Sequence, residues 1–172
     1  MKRPTLYLMF GYPGAGKSTT AKVIERLTGA VRLTSDEVRI EMFPQPTFSQ
    51  SEHDALYKEL DKRAEKLLSE GKDVIYDANL NRRQHRKDKY DICDRANATS
   101  KLLWLQTDKT LAKERAVHES REHLWPEAEK PDQMFDRIAG IIEEPGEDEP
   151  FIAVDGTKVS PDYIRERLGA RA

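Results

Sequence analysis

Short apolar runs alternate along this chain with longer stretches in which apolar residues return every three or four positions. Thr5–Phe10, Val31–Thr34, Val74–Tyr76, Leu102–Leu105 and Phe151–Val154 form the short runs and predict strands. Between them, Gly16–Thr28 carries Ala21, Val23, Ile24 and Leu27 at helical spacing. Ser51–Glu70 sets Leu56, Leu60, Leu67 and Leu68 on one face, with Gly71 as a stop. Arg82–Ala96 predicts a very polar helix, and Thr107–Glu119, Pro131–Ile142 and Pro161–Leu168 predict three more. Strands separated by helices argue for a parallel sheet wound on both faces through right-handed crossovers. Two stretches break the rhythm: the rigid Phe43-Pro44-Gln45-Pro46 loop and the acidic turn from Glu143 to Pro150.

Composition narrows the picture. At 172 residues the chain has the length of a single domain, 1–172. Charged residues make up 35% and apolar residues 37%, so much of the chain is solvated helix surface. The net charge of −2 excludes a binder of nucleic acid held by bulk charge, while leaving room for a local basic patch. The single Cys93 excludes an internal disulfide, and the scattered His residues show no metal-ligand spacing. No apolar run nears the roughly 20 residues of a membrane span, and Leu6–Phe10 is too short for a signal core. The chain therefore reads as soluble and cytoplasmic, with no membrane partner. Its oligomeric state is not legible.

The strongest motif is Gly11-Tyr12-Pro13-Gly14-Ala15-Gly16-Lys17-Ser18, which satisfies the phosphate-loop pattern at every required position. It follows a predicted strand and opens a predicted helix, the context that gives the pattern its meaning. Gly11, Pro13, Gly14, Ala15, Gly16, Lys17, Ser18 and Thr19 are thus the candidate ATP-binding residues. The glycines let amide N–H groups curl around phosphates without Cβ clashes. Lys17 is expected to reach the β- and γ-phosphates and the Ser18 hydroxyl to hold Mg²⁺, with the helix N-terminus aimed at the anion.

Several absences narrow the reaction. No Asn-Lys-x-Asp guanine signature follows a later strand. The third strand ends Tyr76-Asp77-Ala78-Asn79, without the Asp-Glu pair by which motor and AAA-type ATPases activate water. Instead, Leu33-Thr34-Ser35-Asp36-Glu37-Val38-Arg39 places an acid after the second strand, at the sheet edge where ligands bind. Asp36 there can accept the proton of an incoming hydroxyl, or it can cap the helix Glu37–Met42. Asp77 can orient a magnesium-bound water or pair with an arginine, and its plainer role is to form a turn.

These segments, Gly11–Thr19, Ser35–Arg39 and Asp77-Ala78-Asn79-Leu80-Asn81, resemble the P-loop kinases grouped with the polynucleotide 5′-hydroxyl kinases, over residues 5–125. The resemblance implies a P-loop NTPase-type α/β fold: a five-stranded parallel sheet of order 2-3-1-4-5 with a helical lid. It implies Asp36 as general base, Arg39 contacting an acceptor-side phosphate or organising the site, and Asp77 with Asn79 lining it. The position of Ala78, where that group usually carries a hydroxyl residue, departs from the pattern. The segment Arg115–Arg121 resembles the group's arginine lid, placed at about 115–131, and assigns Arg115 to the nucleotide and Arg121 to the transferring phosphoryl.

Three further features read more simply. Arg82-Arg83-Gln84-His85-Arg86-Lys87 opens the polar helix and offers a basic patch, with Arg82 nearest the active edge, or merely a solvated face. Phe43, Phe48 and Tyr57 can stack on a ring, with core packing the expectation for two of the three. Asp155-Gly156-Thr157 reads as a strand end and tight turn, because Ala153 stands where a phosphatase nucleophile would be. The expected function is an ATP- and Mg²⁺-dependent phosphotransferase acting on a hydroxyl. The acceptor is a polynucleotide 5′-hydroxyl on single-stranded nucleic acid, or a small sugar, nucleoside or antibiotic. A non-catalytic ATP-binding switch is the rival from another class.

Overall fold

The computed structural model describes residues 2–119 and 129–169. Five parallel strands form one sheet: β1 (Thr5–Phe10), β2 (Val31–Thr34), β3 (Val74–Asp77), β4 (Thr99–Leu105) and β5 (Ile152–Val154). Their spatial order is β2-β3-β1-β4-β5, as the resemblance implies. The helices are α1 (Lys17–Thr28), α2 (Ser35–Met42), α3 (Gln50–Ser69), α4 (Arg83–Arg95), α5 (Lys109–His118), α6 (Pro131–Ala139) and α7 (Pro161–Arg167).

The central strand β1 is buried at every position, as a strand covered on both faces must be. Leu6, Leu8 and Phe10 point to the face covered by α3 and α4, where Leu56, Leu60, Leu68 and Ile92 pack. Tyr7 and Met9 point to the other face, with Ile24 of α1 and Ile164 of α7. This alternation carries one run of apolar residues into two cores. A small third cluster joins Ala112 and Ala116 of α5 to Phe135 of α6, with Tyr12 of the phosphate loop against it. No described helix is long and apolar enough to cross a membrane.

Several boundaries shift by a residue or more, and three of the shifts have a clear physical cause or consequence. β4 begins at Thr99, because the polar Thr99–Lys101 segment pairs with Thr5–Tyr7 and completes the ladder. α6 ends at Ala139, and the apolar Ile141 and Ile142 lie beyond it. α2 begins at Ser35, capped by the Thr34 hydroxyl, which accepts from the Glu37 N–H at 3.1 Å. The capping alternative for Asp36 is thereby corrected: a side chain already inside the first turn cannot cap it.

Candidate active site

The phosphate loop leaves β1 at Gly11 and enters α1 at Lys17. Gly14 (φ +77°) and Gly16 (φ +106°) occupy left-handed backbone, which glycine adopts without a Cβ penalty. Gly16 caps α1 without any side-chain bond, leaving the first-turn amides to other partners. Pro13 is half-buried in the loop and Thr19 is exposed in the first turn of α1. Ala15 is buried, and its carbonyl accepts from the Thr107 hydroxyl at 2.8 Å.

Lys17 is folded back onto this loop. Its ammonium donates to the carbonyls of Gly11 at 2.7 Å and Tyr12 at 2.9 Å. Burial lowers its pKa from 10.5 to about 8, against the opposing pull of Asp77.

Asp77 ends β3, opposite Thr34 of β2, and faces α1. The Ser18 hydroxyl donates to its Oδ1 at 3.3 Å, and the Arg32 guanidinium to its Oδ2 at 3.3 Å. Burial raises the Asp77 pKa, while Arg32, Ser18 and Lys17 hold it down in part. A hydroxyl and a carboxylate beside a phosphate loop form a hard-oxygen donor pair that fits Mg²⁺. No group of three or more His, Cys, Asp or Glu is placed to hold a metal ion among the described residues. The protein would then supply few ligands, leaving phosphates and water to complete the octahedron.

Asp36 sits in the first turn of α2, at the same edge of the sheet. Its charge reaches the Tyr57 hydroxyl, as does that of Arg39. Burial raises the pKa of that phenol, and the hydroxyl donates to the Asn79 carbonyl at 2.9 Å. Asp36, Arg39, Tyr57 and Asn79 therefore line one side of the edge. Arg39 is buried and already engaged: it pairs with Glu52 at 2.7 Å and lies 4.7 Å above the Phe48 ring. In this arrangement it ties α2 to α3, which fits an organising role better than a phosphate contact. Of the three candidate aromatics, only Tyr57 packs on the main core.

The side chains of Asn79 and Arg82 are exposed at the mouth of the β3–α4 loop, and Arg82 stands at the N-cap position of α4 without a side-chain capping bond. The basic run behind them divides in a way its sequence does not announce. The Arg83 guanidinium donates to the Glu144 carbonyl at 3.1 Å, and its backbone N–H to the Glu143 carboxylate at 3.1 Å. Arg86 is wholly buried against Glu149. The acidic turn thus docks on the basic helix start, and only Arg82 and Lys87 of the run's cations remain exposed without an acidic-turn partner among the described residues.

Arg115, in the last turn of α5, donates to the Gly156 carbonyl at 3.2 Å. Gly156 packs directly on the Ala15 carbonyl and the Thr107 hydroxyl, where a Cβ would collide with both. The Asp155-Gly156-Thr157 turn is tight as expected, with Thr157 bonding back to Asp155. Its contact with the phosphate loop is a feature sequence reasoning missed. A glycine in a turn gives no hint of what the turn will touch. Arg121 and most of the 115–131 segment lie outside the described residues.

A phosphate loop, a Ser–Asp pair at the sheet edge and order β2-β3-β1-β4-β5 define a P-loop kinase-type enzyme. The chain belongs to the AAA_33 family (AAA domain), whose model matches residues 6–145. The AAA label does not bring the hydrolytic glutamate with it, since Ala78 follows Asp77. No curated protein matches the chain. Among solved structures it is similar to the APS kinase CysC of Mycobacterium tuberculosis, solved with AMPPNP and APS. The two are 17% identical over 98% of both chains, with a TM-score of 0.72. A gluconokinase of Sinorhizobium meliloti 1021 is 17% identical over 98% of this chain and 92% of that one, with a TM-score of 0.65. A chain of the Pnkp1/Rnl/Hen1 RNA repair complex is 19% identical over 81% of this chain and 44% of that one, with a TM-score of 0.67. At these identities the likeness is one of fold.

Proposed function

We propose that the protein transfers the γ-phosphoryl group of ATP to an alcohol, with Asp36 as general base. The observation that carries this reading is the Ser18–Asp77 contact beside Lys17, on a strand that continues into Ala78 rather than a glutamate. Such a site holds a triphosphate and its cation but lacks the usual group for activating water.

In the mechanism, the loop amides and Lys17 hold the β- and γ-phosphates. Ser18 and Asp77 would hold Mg²⁺, which neutralises charge on the phosphates when bound. Asp36 takes the proton from the acceptor hydroxyl as its oxygen attacks the γ-phosphorus and ADP leaves. Arg39 organises the acceptor side through Glu52, and Asn79 and Arg82 line it. Arg115 and Arg121 belong to a lid, about 115–131, that closes over the triphosphate and excludes water.

The acceptor is either a polynucleotide 5′-hydroxyl or a small alcohol such as a sugar, nucleoside or antibiotic. The engagement of Arg83 and Arg86 by the protein's own acidic turn favours the small alcohol, because it removes two cations that a strand of phosphates would use. Labelled ATP offered with a 5′-hydroxyl oligonucleotide, nucleosides and sugars tests the reading. Asp36→Asn should keep ATP binding and lose transfer, and transfer at the parent rate would overturn the base assignment. ATP turnover indifferent to every acceptor, with partner binding that depends on ATP, would instead identify a switch.

A further inference from the structure

Arg86 gathers hydrogen bonds from several parts of the fold, and the phosphotransfer scheme above makes no use of it. It lies in the first turn of α4 and is 0% exposed. Its Nε and Nη2 donate to the two carboxylate oxygens of Glu149, and Nη2 also donates to the Glu143 carbonyl at 2.8 Å. Its Nη1 donates to the carbonyls of Leu80 at 2.9 Å and Asn81 at 3.5 Å. The face of the guanidinium lies 4.6 Å from the centre of the Phe10 ring. Phe10 is the last residue of β1, immediately before the phosphate loop.

Three parts of the chain meet on this one planar cation. The first is the end of β1, which launches the phosphate loop. The second is the 78–82 loop, which carries Asn79 and Arg82. The third is the 143–149 turn, which follows α6. The turn is tied independently, since the Glu143 N–H donates to the Asn81 carbonyl at 2.7 Å and the Tyr90 hydroxyl to Glu149 at 2.7 Å. A lysine cannot reproduce this. It has no planar fork, and a point charge does not hold two carbonyls and a bidentate carboxylate in set directions. Stability alone does not call for such a knot, because buried ion pairs can often be replaced by apolar residues of similar volume without loss. What the fork adds is a defined separation between loops.

We propose that Arg86, backed by Glu149, is a positioning residue of the phosphotransfer site: it sets the 78–82 loop against the end of β1 and so holds the acceptor side in place relative to the phosphate loop. The proposal rests on the phosphotransferase reading for its kinetic consequence and on geometry alone for its structural one.

Two variants test it: Arg86→Lys, and the paired Arg86→Met with Glu149→Leu, which removes both charges and keeps the volume. Amide hydrogen exchange is followed across 78–82, β1 and α3. Affinity is measured with an N-methylanthraniloyl derivative of ATP, and KM with whichever alcohol of the panel is phosphorylated. Exchange in 78–82 should quicken by about tenfold in both variants while β1 and α3 stay protected. Acceptor KM should rise about tenfold or more, with kcat and nucleotide affinity held within about threefold. The paired variant should recover melting temperature without recovering either quantity.

Uniform quickening of exchange, or full recovery of KM by the paired variant, would mean a merely structural knot and would overturn the proposal. So would unchanged exchange and KM in Arg86→Lys. If no alcohol is phosphorylated by the parent protein, the phosphotransferase reading fails. The exchange pattern then decides alone: quickening confined to 78–82 sustains the positioning role, and any other pattern overturns it.

Discussion

The hydroxyl of Ser18 and the carboxylate of Asp77 meet at 3.3 Å across the gap between α1 and β3, joining the phosphate loop to the neighbouring strand. Arg32, on β2, reaches the other oxygen of the same carboxylate at 3.3 Å. Helix α1 and strands β2 and β3 thus converge on one acid. Asp77→Asn keeps the shape and removes the charge. It should weaken Mg²⁺-dependent ATP binding about 10- to 100-fold and leave binding in EDTA nearly unchanged. Calorimetric titration with and without Mg²⁺ reads the difference. Equal losses in both conditions would remove Asp77 from the metal site.

Lys17 gives the nucleotide site a pH signature. Its folded-state pKa is lowered to about 8, so above that pH the folded protein has released a proton that the unfolded chain keeps until 10.5. The unfolded state binds more protons across that window, so this group makes stability rise with pH there. ATP needs the ammonium, so affinity should be level below pH 8 and then fall by up to about tenfold per unit. Thermal melting and nucleotide titration from pH 7 to 10 check both slopes. Lys17→Met should flatten the stability slope and abolish binding.

Glu52 gives a second, acidic signature. Burial pulls its pKa upward, but the Thr47 N–H, Arg39, the Thr47 hydroxyl and the Phe48 N–H together hold it below its ordinary value. A lowered carboxyl stabilises the fold above its unfolded pKa of about 4.5, and that contribution disappears as pH falls through the folded value. Melting temperature should therefore drop below pH 4.5, more steeply in the parent than in Glu52→Gln. Identical slopes would show that the α2–α3 tie does not titrate.

Much of this was legible in the chain. The strands announced themselves because a parallel sheet covered on both faces demands unbroken apolar runs. The phosphate loop did so because backbone curled around an anion demands glycines at set places. Asp77 was reachable as the acid ending a buried strand beside that loop. Other features depend on contacts across long separations, which leave no local trace. The Arg82–Lys87 run gave no sign that Arg86 is buried, since its partner Glu149 lies 63 residues away. The cap of α2 falls two residues before Asp36, because Thr34 and Asp36 are both good caps and only the start of the helix decides between them. Nor does Arg39 advertise that Glu52 already holds it.

Gly156 offers a clean contrast with Gly71. Gly71 has φ +79° and nothing within 4 Å of where a Cβ would stand, so Gly71→Ala should cost about 1–2 kcal/mol and leave ATP affinity alone. Gly156→Ala would drive a methyl into the Ala15 carbonyl and the Thr107 hydroxyl. It should cost about 1–3 kcal/mol and also weaken ATP binding, because the displaced neighbour is the phosphate loop. Denaturant unfolding and nucleotide titration on the two variants separate the effects. Equal ATP affinity in both would remove the turn from any role in shaping the loop.

The folded-back Lys17 has a consequence for the strength with which an anion is held. Its ammonium already rests on the Gly11 and Tyr12 carbonyls, so an incoming ligand gains only the difference between its own contacts and those two. An anion that reaches the ammonium must take the place of both carbonyls. A chain of phosphates that also engages the loop amides and the Ser18 hydroxyl would do so. The lysine is in this sense an internal competitor, and the two carbonyls it leaves need other donors once an anion has bound.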